Sequence, residues 1–394
     1  MSQSGHIPAR GFDTAEYQRR TAAAQRLMAA EGMAAMLLTT EPEVRYFSGF
    51  HSQFWESPTR PWYLLVPAAG KPIAVIPTIG VAGMAATWVD DIRSWSAPNP
   101  GDDGISLLTD ALREQAGDDG RIGMPLGLES QLRMPAADFL ELCERLSGIE
   151  IRDARPLLQR LRYVKSAAEI DKIHHVCQLT SRAFEALPEH IAIGMSEREV
   201  CRVLQMDILQ RGADNTPYLI GASGPGGYDN IIMGPGDRLL HDGDVMIIDT
   251  GATYDGYFCD FDRNYAFGEP GDAARRAHEV VWHATEAGFA AARPGNTTSD
   301  VYAAMQAVLV EGGAAESGND VGRMGHGLGM QLTEWPSNRP GDDTVLEPGV
   351  VLTLEPGMQF APGRQMVHEE NIVIREHGAE WLTHRAPLEM PVIE

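Results

Sequence analysis

Four carboxylates and one imidazole, those of Asp249, Asp260, His326, Glu355 and Glu369, stand in apolar or glycine-rich runs of the C-terminal part of this chain. An ionised carboxylate withdrawn from water without a partner is costly, so carboxylates embedded in such runs call for a compensating positive charge. Oxygen donors with a single imidazole suit divalent cations such as manganese, iron, cobalt or zinc. Five side chains are too few for two separate full coordination shells. Two adjacent cations would therefore share at least one carboxylate, with water in the remaining positions. Such a centre lowers the pKa of bound water and stabilises the oxyanion of an attacked carbonyl, which is the chemistry of hydrolysis.

The elements around these residues are those that would gather them. Alternation along a strand puts Asp249 on the face of Val245 and Ile247, toward the interior. Residues 251–257 are small or turn-forming and allow the chain to return, so that Asp260 pairs with Asp249 in a two-carboxylate clamp. His326 lies in GHGLG (325–329), where flanking glycines permit close backbone approach. Glu355 ends the apolar run 350–354 and Glu369 precedes the run 371–374, giving a second carboxylate pair. GDVMIIDTG (243–251) echoes GVVLTLEPG (349–357), which suggests two similar half-units facing one centre.

The first part of the chain reads as an α/β domain, with a helix over 14–31 and strands over 34–38, 62–67 and 72–77. A loop rich in Pro, Gly and Asp covers 98–104. A boundary near 160 divides the chain into domains 1–160 and 161–394. Ser166 with Glu169, and Ser196 with Glu199, form capping boxes that open helices over 166–188 and 196–211; further helices cover 271–292 and 298–312. Residues 221–227 read as a glycine-rich loop lining the cleft, without the Lys-Ser/Thr of a phosphate loop. Asp262 and Arg263 read as an ion pair, His368 as a neighbour of Glu369 that does not bind metal, Cys259 as a small buried side chain and Trp62 as core.

The net charge of −23 disfavours nucleic acid and anionic membranes as partners. The four cysteines show no CxxC spacing, which points to reduced thiols and a cytoplasmic protein. No apolar run of signal-peptide or membrane-spanning length is expected.

The motifs IIDTGATYDGYFCD, GHGLG, LTLEPG and HEENIVI, in this order, resemble those of the creatinase, prolidase and aminopeptidase P superfamily, and VRYFSGF and YVKSAAEIDKI extend the resemblance to the N-terminal part. The resemblance implies a creatinase-like α/β N-terminal domain, an α+β pita-bread C-terminal domain and a homodimer. It also implies two divalent ions, manganese first, with iron, cobalt or zinc as alternatives. Asp249, Asp260, His326, Glu355 and Glu369 would be their ligands and Glu355 the catalytic proton shuttle. The implied activity is hydrolysis of a C–N bond in a small substrate such as an Xaa-Pro dipeptide.

Two positions depart from the family. Ile232 and Thr333 stand where its peptidases carry histidines that handle the substrate carbonyl and the tetrahedral intermediate. Loss of such a donor typically costs a few kcal/mol in the transition state. Thr333-Glu334-Trp335-Pro336 partly resembles the dimethylsulfoniopropionate lyase branch, so the alternative is a non-peptidase acting on a zwitterionic osmolyte, by elimination or by ectoine-type hydrolysis. Retention of the whole ligand set argues against a catalytically silent binding protein. Thr333 and Glu334 are expected at the substrate, and Trp55 and Arg60 are expected to reach a cationic or carboxylate-bearing substrate from the partner subunit's N-terminal loop.

Overall fold

The computed structural model describes residues 6–314 and 322–394. They form two compact units, Ala9–Arg162 and Tyr163–Glu394, the latter joined by residues 6–8.

In the N-terminal unit the helix Thr14–Glu31 opens on Asp13, whose carboxylate accepts from Glu16 N at 2.9 Å, and stops at Gly32 in the left-handed region, φ 65°. Six strands follow in the order Asp91–Trp95, Ile73–Pro77, Tyr63–Pro67, Ala35–Leu38, Arg121–Met124 and Glu150–Asp153. Ala35–Leu38 pairs antiparallel with Tyr63–Pro67 and parallel with Arg121–Met124. Both it and Tyr63–Pro67 are buried throughout, which is why they read as unbroken apolar runs without alternation. Trp62 is core, as expected. The loop before it is fixed from within: the Arg133 guanidinium donates to the carbonyls of Trp55, Phe54, Thr59 and Arg60 at 2.8, 2.9, 3.1 and 3.2 Å.

The C-terminal unit is α+β and holds two five-stranded sheets. The first runs Val392–Ile393, Phe261–Phe267, Asp244–Tyr254, Asn215–Pro225, with Tyr257–Phe258 also on Asp244–Tyr254. The second runs Glu334–Ser337, His326–Gly327, Val351–Leu354, Glu370–Arg375, Gly378–Trp381. The echo read in the sequence therefore falls on an inner strand of each sheet. Val245 and Ile247 from one, and Leu352, Leu354 and Ile372 from the other, enter a common apolar core with Val281 and Met305 of the helices Asp272–Ala291 and Thr298–Glu311. Both capping boxes form, Ser166 opening Ala167–Ala186 and Ser196 opening Glu197–Gln210.

One expected loop is a strand. Residues 221–225 continue Asn215–Pro225 along Asp244–Tyr254, with Gly221 opposite Ile248. A Cβ on Gly221 would lie 2.6 Å from Cys201 Sγ, so the glycine serves close packing against a helix, not a turn. Only Gly226 and Gly227 leave the strand, Gly226 with φ 66°.

Candidate metal centre

Asp249 sits within Asp244–Tyr254, opposite Asp262 on one side and Ile220 on the other. The chain turns through Asp255 and Gly256, runs back as Tyr257–Phe258, and breaks at Cys259 and Asp260 before the ladder resumes at Phe261. His326 opens its short strand, Glu355 follows Val351–Leu354, and Glu369 immediately precedes Glu370–Arg375.

These elements bring all five residues together in two groups. Asp260, His326 and Glu355 each offer a ligand atom within 4.8 Å of the others, as do Asp249, Asp260 and Glu369. Asp260 belongs to both. The sequence reading paired Asp249 with Asp260, which do stand together in one group, and Glu355 with Glu369, which the structure divides between the two, so each sheet contributes to each group.

His326 is held in the tautomer a ligand needs. Its Nδ1 lies 2.9 Å from the Gly327 carbonyl and donates to it, which turns the Nε2 lone pair toward Asp260 Oδ2 at 3.3 Å and Glu355 Oε1 at 3.1 Å. A lone pair facing two carboxylates is repulsive unless a proton or a cation stands between them. In the metal-free state the proton does so: burial opposes the charged imidazole, but Glu355 and Asp260 outweigh it and raise His326 to about 10. Burial first, then repulsion from Asp260 and the other carboxylates, pushes Asp249 well above the ordinary carboxylate range. Glu369 is raised likewise, by burial and then by Asp249. Hard oxygen donors, one correctly presented nitrogen and an unmet demand for positive charge fit divalent cations.

Sequence reasoning missed the residues that hold these side chains. Tyr218 Oη donates to Asp249 Oδ1 at 3.2 Å and closely to Asp260 Oδ1. Thr353 Oγ1 donates to Glu355 and accepts from His326 N at 2.9 Å. Asp262 Oδ1 accepts from Glu369 N at 2.7 Å, and Asn371 binds the backbone of Asp260. Thr353 and Asn371 could have been found, since each stands two residues from a ligand and so on its side of the strand. Tyr218 carried no such signal, because only strand pairing brings it near.

Several expected roles change. Arg263 does not bridge to the Asp262 carboxylate; it donates to the Asp262 carbonyl at 2.6 Å, to the Glu370 carboxylate at 3.1 Å and to the Glu369 and His384 carbonyls, while the Asp262 carboxylate accepts from Glu369 N. Glu334 is not free for substrate: it is buried, accepts from Gln331 N at 3.1 Å and meets Lys165 Nζ at 3.1 Å. Trp55 is packed against Phe50 and Trp62, ring centroids 6.5 and 6.2 Å away, so its faces serve the N-terminal core in place of a cationic substrate. The Arg60 guanidinium lies 5.4 Å from the Phe54 ring centroid in the same unit. Thr333 is half-buried beside Leu332, and a Cβ on Gly251 would meet both Tyr218 and Leu332, the latter at 3.2 Å. Ile232 is 79% exposed, an unusual position for an isoleucine, and the adjacent Met233 carbonyl meets Gly221 N at 3.3 Å. His368 contacts Thr285 and Arg385, and Cys259 is buried.

A cup of four carboxylates and an imidazole, joined through one shared aspartate, defines a metal-dependent hydrolase. Residues 171–376 match metallopeptidase family M24, and residues 20–164 match the creatinase/prolidase N-terminal domain; the chain belongs to this family and cleaves C–N bonds. It is 32% identical to "Probable dipeptidase PepE" of Mycobacterium tuberculosis over 98% of both chains. It is 30% identical to "Xaa-Pro dipeptidase" of Pyrococcus horikoshii over 66% of this chain and 72% of that one. The crystal structure of dipeptidase PepE from Mycobacterium ulcerans superposes with a TM-score of 0.84 at 31% identity, covering 97% of this chain and 99% of that chain. A prolidase from Thermococcus sibiricus shares the fold, with a TM-score of 0.86 at 24% identity over 97% and 100% of the two chains. The C-terminal unit is thus a pita-bread domain.

Proposed function

We propose that this enzyme hydrolyses dipeptide-sized substrates, with two divalent ions held by Asp249, Asp260, His326, Glu355 and Glu369. The observation that carries the reading is the sharing of Asp260 between two three-donor groups. The dipeptidase names of its relatives support the substrate size. When bound, the ions supply an activated water and polarise the scissile carbonyl.

Glu355, held by Thr353 and only partly buried, takes the proton of the attacking water and passes it to the leaving nitrogen. Tyr218 fixes the carboxylates of Asp249 and Asp260. Thr333 offers the substrate a hydroxyl donor where the family places an imidazole, and Ile232 offers an apolar contact. The substrate's terminal carboxylate is met by Arg60, from the N-terminal loop of the partner in a homodimer. Manganese is the preferred ion, in keeping with an oxygen-rich site. Four free thiols accord with a reducing cytoplasm.

The Ile232 and Thr333 positions favour one second reading, action on a small zwitterionic osmolyte by hydrolysis or elimination at the same centre. A panel of Xaa-Pro and other dipeptides assayed with manganese-loaded enzyme separates the two. We expect release of free amino acids that stops on chelation and returns with manganese. Turnover of an osmolyte without turnover of any dipeptide would replace the first reading by the second.

A further inference from the structure

Asn371 lies on Glu370–Arg375 directly opposite Thr353 of Val351–Leu354. Opposed residues of an antiparallel pair share a face, so Thr353 and Asn371 stand side by side on the face toward the ligands. Thr353 serves Glu355 and His326. Asn371 serves the remaining half. Its Oδ1 accepts from Asp260 N at 2.9 Å and from Cys177 Sγ at 3.3 Å, while its Nδ2 donates closely to the Asp260 carbonyl.

The place of this contact explains its form. Cys259 and Asp260 fall in the break between Tyr257–Phe258 and Phe261–Phe267, where the strand ladder does not provide for Asp260's own N–H and C=O. Asp260 is 5% exposed and Asn371 and Cys177 are fully buried, so water is not an alternative partner. A side-chain amide, one acceptor and one donor in a plane, reproduces the missing neighbouring peptide. Aspartate would keep the acceptor but set an oxygen against the Asp260 carbonyl; leucine would satisfy neither group. The amide is also two residues from Glu369, so it ties the segment bearing the shared carboxylate to the strand that follows Glu369.

We propose that Asn371 is a positioning residue of the metal centre, fixing the Asp260 carboxylate between the two cation positions. The inference rests on the two-ion reading given above. Loss of an outer-sphere partner typically weakens metal binding by about 10–100-fold. The test uses the full chain, stripped of metal and titrated with cobalt(II) while its visible absorption is followed, for wild type, Asn371→Asp and Asn371→Leu, with thermal melts of the stripped proteins. We expect the aspartate variant, which keeps the volume, to bind at least one ion at least about tenfold more weakly and with an altered cobalt spectrum. In the manganese enzyme kcat should fall while KM changes less than about twofold. Wild-type cobalt affinity and spectrum in both variants, with only a lower melting temperature, would overturn the positioning role and leave the metal centre standing. No cobalt uptake by the wild type would overturn the metal centre itself, and the proposal with it.

Discussion

Asp260 is where a single side chain decides the most, because it is the only one of the five to serve both groups. Asp260→Ala should abolish binding of both ions and lower kcat/KM by more than about a thousandfold, as metal analysis and dipeptide assay will show. Thr353→Val removes hydrogen bonds to Glu355 and His326 at nearly constant volume. With about 1 kcal/mol for each bond, a five- to thirtyfold loss of kcat is expected, and titration with manganese should show weaker binding. The five residues that gather in these two groups were legible in the sequence because charged residues in apolar runs need an explanation. The way they combine was not, since pairing by chain order ignores that the sheets face each other. Tyr218 stayed hidden for the same reason, being an ordinary tyrosine until strand pairing places it beside Asp249.

At the scale of elements, charge again carries information that hydropathy does not. Lys165 and Glu334 are both buried, and their contact ties the segment entering Ala167–Ala186 to the edge strand Glu334–Ser337 of the second sheet. Glu334→Gln leaves a buried ammonium without its counter-charge and should lower unfolding stability by about 3–5 kcal/mol, measured by denaturant titration. Replacing both members by apolar residues of similar size should recover most of that loss, because two desolvation costs vanish together. The helices Ala167–Ala186 and Glu197–Gln210 were readable from their capping boxes, whose Ser and Glu satisfy the first free amides. The strand Asn215–Pro225 was not, because its glycines look like a turn, whereas Gly221 serves close approach to Cys201. Glu334 looked like a substrate residue for a related reason: its buried partner lies 169 positions away.

On the scale of the whole molecule, four of the 55 acidic residues gather at one centre, while a buried histidine outside the two groups governs part of the fold's response to acid. His278 is 2% exposed, and burial lowers its pKa from 6.5 to about 4. Its folded value lies below its unfolded one, so the unfolded chain binds more protons between them. The contribution is therefore complete above pH 6.5 and is lost as pH falls toward 4. The size is on the order of 3 kcal/mol. His278→Asn should flatten this part of the stability profile, as melts of the metal-loaded protein at a series of pH values will report. An unchanged slope would remove His278 from the account. The α/β character of the N-terminal unit was readable from periodicity and the α+β character of the C-terminal unit from the family resemblance, whereas the convergence of two sheets on one centre was visible only as the faint echo of 243–251 in 349–357.

The claim on which the rest depends is that two divalent ions are held with Asp260 between them. Crystals grown with manganese, measured at its absorption edge, test it directly. The account predicts two anomalous peaks per chain, about 3.5–4 Å apart, flanking the Asp260 carboxylate. One is to be bounded by His326 and Glu355, the other by Asp249 and Glu369. A single peak that leaves Asp260 without a shared role, or no peak among these five residues in crystals of manganese-activated enzyme, would contradict it.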